Sequence, residues 1–525
     1  MLVGLVCMAV IAVLPASASA AVTPLLKFGS FGSAAGQLKT PAAIGVSGQG
    51  NVYVPDQLNQ RVSEFTASGT FIRAFGYDVI PGNGNTGFEV CTTATGCKAG
   101  VAGAGAGQLY NPRGIAFDGA NNLYVSEQNN HRISEFTASG TFIRAFGYDV
   151  IPGNGNTGFE VCTTGTGCKS GVPGAGNGQL NNPFELALNG SSLYVADQFN
   201  YRIVQFNTTA GPAFVRNIGS IGSAAGQLNT PIGVAVNASG QIFVGDDSNN
   251  RISEFDASGT FIRALGYDVI PGDGTGFEVC TTATTCQAGV PGGGAGQLYH
   301  PAAVALDGVG DLHVAEHTNN RVSDFSAANS TFQRAFGFDV IPGNGTTGFE
   351  VCSIASSCKA GVAGAGTGQL NDAFGITIDC RNAVWVADTA NNRVQRFGQP
   401  GTALPPCGTA ASTALKCQGK QATIVGTGGS DKLKGTKKAD VIVGLGGKDK
   451  IVARAGNDRV CAGGGKDKVF GGKGKDSLNG QGGSDLLSGG PGKDRLKGGP
   501  GKDLLLGGPK HDILIGGPGK DVQVQ

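Results

Sequence analysis

Eleven aspartates stand at an unbroken nine-residue interval: Asp431, Asp440, Asp449, Asp458, Asp467, Asp476, Asp485, Asp494, Asp503, Asp512 and Asp521. They sit in glycine-rich phrases such as GGKGKDSLN at 471–479 and GGPGKDLLL at 498–506. The chemistry open to such a row is the binding of a hard cation. Glycines permit tight turns at positive φ and bare the backbone carbonyls. Each aspartate adds a carboxylate oxygen, and calcium takes roughly six to eight oxygens of these two kinds. The apolar residue two positions on, such as Leu478 or Leu505, is expected to point into a core and hold the turn in place.

The nonapeptide G-G-x-G-x-D-x-U-x, with U large and apolar, resembles the RTX, or haemolysin-type, calcium-binding repeats. The resemblance implies that two nonapeptides form one coil of a parallel β-roll, with Ca²⁺ between turns two repeats apart, as for Asp467 with Asp485 and Asp476 with Asp494. One feature departs from the usual acidic pattern. From Gly426 onward, eighteen Lys and Arg face eleven Asp and no Glu, a net charge of +7, whereas the whole chain carries +1. Lysine fills the slot before the aspartate at Lys448, Lys466, Lys475, Lys493, Lys502 and Lys520. Neighbouring cations oppose the ion, which puts the expected affinity in the weak, extracellular range. A basic stripe also suits an anionic polymer. Nucleic acid is disfavoured as a partner, since no aromatics interleave with the basic residues.

A second repeat occupies residues 24–398. Its units open with Gly-Gln-Leu at Gly36, Gly107, Gly178, Gly226, Gly296 and Gly368. Period-two strands follow, as in GIAFDG at 114–119, NLYVSE at 122–127, RISEF at 132–136 and TFIRAFG at 141–147, bounded by Gly, Asn and Ser turns. Four short strands in about 40 residues make a propeller blade. The motif [DE]-x-x-N-x-R recurs in all six units: Asp56/Asn59/Arg61, Glu127/Asn130/Arg132, Asp197/Asn200/Arg202, Asp246/Asn249/Arg251, Glu316/Asn319/Arg321 and Asp388/Asn391/Arg393. With its flanking P-x-G-[IV]-A-[VF] and F-x-R-x-[FL]-G phrases, this half resembles the NHL repeat family. The acidic–Arg pairs are expected to brace the turn. The sixth unit stops at RVQRFG, and LLKFG at 25–29 is a fourth-strand ending without a unit, so the two are expected to pair and close the ring.

Insertions of roughly 30 residues follow blades one, two, four and five, at 77–106, 148–177, 267–295 and 338–367. Each holds GFEVC and a second cysteine six positions on: Cys91/Cys97, Cys162/Cys168, Cys280/Cys286 and Cys352/Cys358. C-x5-C with turn residues between is expected to be a local disulfide rather than a zinc site, because it is not a finger spacing and no histidine accompanies it. Cys380 with Cys407, and Cys417 with Cys461, are the expected remaining pairs. The insertions should share one face of the ring with the D-x-x-N-x-R turns, and loops on one face of a rigid scaffold usually carry function.

Catalytic constellations are sparse. His313-Val314-Ala315-Glu316-His317 spells a zinc pattern that needs a helix, but lies on an expected strand, with His313 in the slot of Tyr53, Tyr124 and Trp385. Six-bladed propellers also house calcium-dependent lactonases and esterases, which gather carboxylates where the innermost strands enter the channel. The corresponding positions are Ala42-Ala43, Arg113-Gly114, Phe184-Glu185, Ile232-Gly233, Ala302-Ala303 and Phe374-Gly375, of which Glu185 and Arg113 alone are ionisable. A lone carboxylate cannot both hold a metal and act as base.

The expectation is therefore an all-β chain, a six-bladed β-propeller followed by an RTX-like parallel β-roll. Residues 1–20 read as a signal peptide ending in Ala18-Ser19-Ala20, 21–400 as the propeller, 401–425 as a linker and 426–525 as the roll. No other apolar stretch approaches the length of a membrane span. With Cys7 removed, twelve of the thirteen cysteines remain, an even number that suits an oxidising compartment. The functional expectation is a non-enzymatic, secreted or envelope-associated calcium-binding protein whose propeller recognises an extracellular protein or glycan. The alternative is a lactonase- or esterase-type hydrolase on the propeller.

Overall fold

The computed structural model describes residues 22–398 and 416–525, apart from 210, 273–275, 309, 327–329, 355, 419, 426–430, 445 and 446. The expected signal peptide and most of the expected linker lie outside the described residues. The described chain is all-β, with six antiparallel sheets in the first part and, in the last, two parallel sheets and a two-stranded antiparallel hairpin.

Each of the six sheets is a blade. In the second, Pro112–Phe117, Leu123–Glu127, Arg132–Phe136 and Phe142–Tyr148 pair in succession. A short 3-10 turn, Gln128–Asn130, links the second and third strands, and His131 closes it at φ 50. All five residues of the second and third strands are buried, because neighbouring blades cover both faces. The innermost strands crowd around the channel. A Cβ on Gly114 would strike the backbone of Phe184 and Glu185, and one on Gly233 that of Ala302 and Ala303, so the P-x-G phrase answers to close packing. The ring closes as its ends suggest. Thr23–Phe28 pairs antiparallel with Arg393–Gly398, with Phe28 opposite Val394.

The insertions differ from the sequence expectation in one respect. They are not only loops. Their FEVC phrases form a fifth, outer strand in four blades: Phe88–Cys91, Phe159–Cys162, Phe277–Cys280 and Phe349–Cys352. The phenylalanine of each wedges against the third strand of the next blade. Phe88 stacks on Phe136 at 5.7 Å, Phe159 on Phe206 at 5.5 Å and Phe349 on Phe397 at 5.7 Å. The glutamate faces its own loop, where Glu89 accepts the Ile80 N–H at 2.8 Å.

The four C-x5-C pairs are bonded as expected: Cys91–Cys97, Cys162–Cys168, Cys280–Cys286 and Cys352–Cys358. The two cysteines of a pair stand on different ground. Cys91, Cys162, Cys280 and Cys352 end the outer strand, fully buried, whereas Cys97, Cys168, Cys286 and Cys358 lie in the irregular chain beyond it. Each disulfide therefore ties the returning loop to the sheet edge. Cys417–Cys461 is also bonded as expected. Cys380 is disulfide-bonded too, while Cys407 lies outside the described residues. Replacing Cys91 and Cys97 together by serine is expected to cost about 2.4 kcal/mol, the closure entropy of a seven-residue loop. A denaturant midpoint unchanged in the variant would contradict this.

The roll is a two-sheet solenoid with one coil per two nonapeptides. One sheet aligns Ile442, Val460, Leu478, Leu496 and Leu514 in register, and the other aligns Ile451, Val469, Leu487 and Leu505. These are the apolar residues two positions after the aspartates, and they form its core. The hairpin Lys416–Cys417 with Lys420–Gln421 packs against the strands Val441–Val443 and Arg459–Gly464, where Cys417 and Ala422 meet Val443 and Cys461. It is tied down by Cys417–Cys461 and by Arg459 donating to the Gln418 carbonyl at 3.0 Å.

Candidate functional sites

The aspartates form two rows along the roll. From Asp449 to Asp521, one carboxylate oxygen of each accepts the backbone N–H of the aspartate one coil earlier. Asp467 N–H donates to Asp485 Oδ1 at 2.9 Å and Asp476 N–H to Asp494 Oδ1 at 2.8 Å, so both expected pairs meet. The same bond runs from Asp431 to Asp449, Asp440 to Asp458, Asp449 to Asp467, Asp458 to Asp476, Asp485 to Asp503, Asp494 to Asp512 and Asp503 to Asp521. The other oxygen is left over. Oδ2 of Asp449, Asp458, Asp467, Asp476, Asp485, Asp494, Asp503 and Asp512 is buried without a hydrogen-bond partner. Such an orphan acceptor costs about 1–3 kcal/mol.

Glycine lies beside six of these eight oxygens, while Ala453 and Ala462 hold the same position before Asp458 and Asp467. A Cβ on Gly471, Gly480, Gly489 or Gly498 would fall between the Oδ2 of its own repeat and a glycine carbonyl one coil later. Buried carboxylate and carbonyl oxygens converging at a glycine-bared spot are a donor set that fits calcium. Burial, followed by repulsion from aspartates one coil away, pushes Asp449 and Asp476 up to about 6 and Asp485 up to about 7. Lys448, Lys466, Lys475, Lys493, Lys502 and Lys520 are exposed, whereas the aspartates that follow the first five are 1–3% exposed. The lysine side chains are thus solvated while the carboxylates are not, and solvent screening weakens the charge conflict anticipated from the sequence.

The channel of the propeller is mostly apolar in its throat, with Ile44, Ile115, Leu186, Val234, Val304 and Ile376, one from each blade, and with Glu185 and Thr377 also in its lining. Its mouth is not. Arg113 lies over the Phe184 ring at 4.6 Å and the Phe374 ring at 5.7 Å, and donates to Gln128 Oε1 at 2.8 Å. Burial pushes Glu185 up to about 8, against the pull of the Leu186 N–H and Arg113. On the other side of Phe374 stand His317, His300, Asp247 and Asp372. His300 Nδ1 is 2.9 Å from Asp247 Oδ2, and His317 Nδ1 is 3.3 Å from Asp372 Oδ1. Burial alone would lower His317, but Asp247 and Asp372 outweigh it and push it up to about 9.

Comparison with known proteins agrees with both halves. Residues 425–460, 462–496 and 497–522 match the RTX calcium-binding nonapeptide repeat, and 109–136, 228–255 and 370–397 match the NHL repeat. The propeller is built of NHL repeats and the roll of RTX nonapeptides. A stretch of 172 residues is 28% identical to Protein brain tumor of Drosophila melanogaster, covering 32% of this chain and 14% of that protein. Among solved structures, a streptogramin B lyase is 14% identical with a TM-score of 0.37, covering 69% of this chain and 93% of the other. A gluconolactonase from Xanthomonas campestris is 13% identical with a TM-score of 0.38, covering 73% and 90%.

In the NHL propeller, the recurring acidic–Asn–Arg motif is a buried clasp in every blade. His313 sits in its expected aromatic slot, bonded to Asp324 at 2.7 Å, and takes no part in the mouth. The mouth cluster corrects the reading that Glu185 and Arg113 are the only ionisable groups there. The missed residues occupy two further columns. One precedes the innermost strand (Thr40, Asn111, Asn182, Thr230, His300, Asp372), and the other follows the acidic residue of the clasp (Gln57, Gln128, Gln198, Asp247, His317, Thr389). Aligning blades at these columns reveals the signal: Thr, Asn and Gln give way to His and Asp in neighbouring blades four to six.

Proposed function

We propose that the protein is a secreted calcium-binding protein in which the RTX roll binds Ca²⁺ through its aspartate rows. On this reading the NHL propeller is a recognition or scaffold module for an extracellular protein or glycan. The observation that carries it is the run of buried, partnerless Oδ2 atoms, which a calcium ion in each turn would satisfy. The disulfides support an oxidising compartment. For the propeller, support comes from one face. Val101, Val172, Val290 and Val362 of the insertions, Leu58 and Phe199 of the 3-10 turns, and Phe31 and Ile221 of the short junctions are exposed there. Exposed apolar side chains gathered on one rigid face mark a binding surface.

The test is a calcium titration of the chelator-treated full-length protein, followed by circular dichroism and thermal melting. A cooperative gain in β-structure is expected, with its midpoint near ~10⁻⁴–10⁻³ M. No response up to ~10 mM, well above that range, would leave a purely structural roll. A second reading, a lactonase- or esterase-type hydrolase, is favoured by the half-buried Glu185 beside Arg113. Turnover of a lactone or ester panel that is lost in Glu185→Gln would support it.

A further inference from the structure

The cluster at the channel mouth belongs neither to the calcium rows nor to the clasps. Among the described residues, Asp247, His300 and His317 are the group of three whose ligand atoms all lie within 4.8 Å of one another. They come from two blades. Asp247 opens the turn Asp247–Asn249 of blade four, His300 immediately precedes the innermost strand Pro301–Leu306 of blade five, and His317 follows its second strand Leu312–Glu316. Rigid elements therefore set the positions of all three. His300 stacks on Tyr299 at 4.9 Å, and its N–H donates to Asn250 Oδ1 at 3.2 Å.

Two details point to an ion rather than to charge pairing alone. Asp247 is 6% exposed, and its Oδ1 is buried without a hydrogen-bond partner. That oxygen faces His317 Nε2 at 3.7 Å, too far for a hydrogen bond. Two donors bound to one tetrahedral ion at ~2.0–2.1 Å stand about 3.4 Å apart, close to this separation. The second detail is on the far side of the ring. His317 Nδ1 faces Asp372 Oδ1 at 3.3 Å, the carboxylate–imidazole arrangement that fixes a metal-binding histidine with its Nε2 turned to the metal.

We propose that Asp247, His300 and His317 form a binding site for a divalent transition metal of the zinc class at the propeller mouth, with Asp372 orienting His317. Two imidazoles and one carboxylate suit zinc or cobalt and do not suit calcium, whose ligands are oxygens. Three protein ligands leave a fourth position open toward the channel mouth, where Arg113 stands across Phe374. The site is thus distinct from the roll in both ligand type and metal.

The full-length protein, stripped of metal and returned to millimolar calcium, is the material for the test. Titration with Co²⁺ is expected to take up one equivalent and to develop the visible absorption of a four- or five-coordinate ion, which Zn²⁺ then displaces. Asp372→Asn should weaken uptake ~10–100-fold. His300→Asn with His317→Asn should abolish the spectrum while leaving the calcium response of the roll intact. Should that double variant fail to fold, paramagnetically shifted N–H signals from two imidazoles in the Co²⁺-loaded wild type decide the matter in its place. Failure of the wild type to take up an equivalent of Co²⁺ or Zn²⁺ overturns the proposal, as does an unchanged spectrum in the folded double variant. Either result leaves a charge-paired hydrogen-bond cluster.

Discussion

Without calcium, the roll is expected to melt highest near pH 4 and to lose stability steadily as the pH climbs to 7. The reason lies in the carboxylates. Burial raises Asp449 and Asp476 to about 6 and Asp485 to about 7, with neighbouring aspartates adding to it, and burial raises Asp458, Asp467, Asp494 and Asp503 in the same direction. The folded roll then holds protons that the unfolded chain releases near pH 4. Stability from these groups is fully present below that value and is lost as the pH passes through 6 to 7. A carboxyl that titrates one pH unit higher in the folded state contributes about 1.4 kcal/mol. Solvent at the open turns trims that figure, yet a single group would still move the melting temperature by several degrees, at ~4–8 °C per kcal/mol. Calcium should reverse the trend, because it replaces the protons. Trp385 is the one tryptophan and lies in the propeller, so a transition seen by circular dichroism but not by tryptophan fluorescence belongs to the roll. A calcium-free melting temperature that rises between pH 4 and 7 would contradict this.

The roll was almost fully legible in the sequence because every coil repeats the same local demand. A nine-residue period in aspartate and glycine, with an apolar residue two positions after the aspartate, leaves one register, and Val469 stacking on Leu487 follows directly. Ring closure was legible for a similar reason: a missing strand at one end matched a spare one at the other. The fifth strand was not. FEVC is four residues long, lies between Gly-rich stretches, and gains its strand character from the edge of Ala74–Tyr77 and from the next blade's Phe136, neither of which is local. The mouth cluster was missed because its members are 17 to 125 residues apart in the chain and meet only when blades four, five and six converge on the channel. By spacing alone His317 goes with His313 of its own strand, and the fold sets it against Asp247 and Asp372 instead.

Arg61→Ala is expected to destabilise the propeller by about 3–5 kcal/mol, the usual cost of stranding one member of a buried ion pair. Arg61 and Asp56 are both fully buried. The guanidinium has five N–H donors, and each has an acceptor. Nε donates to Asp56 Oδ2 at 3.0 Å, the first terminal nitrogen to the carbonyls of Ser33 and Lys98 at 2.6 and 3.0 Å, and the second to those of Ala34 and Gln37 at 3.2 and 2.8 Å. The clasp therefore ties the Gly-Gln-Leu loop, the turn and the end of the insertion together. Removing it leaves four carbonyls and a carboxylate in a dry site. Arg61→Lys should fail nearly as badly, since one ammonium cannot reach five acceptors set for a planar fork. The Lys98–Asp78 pair offers the contrast: its lysine is 38% exposed, so Lys98→Ala should cost about 0–1 kcal/mol. Urea denaturation followed at Trp385, whose ring lies 6.2 Å from Phe28 where blades six and one meet, measures both. Equal midpoints for Arg61→Ala and Lys98→Ala would show that the motif is a surface decoration rather than the clasp of the blade.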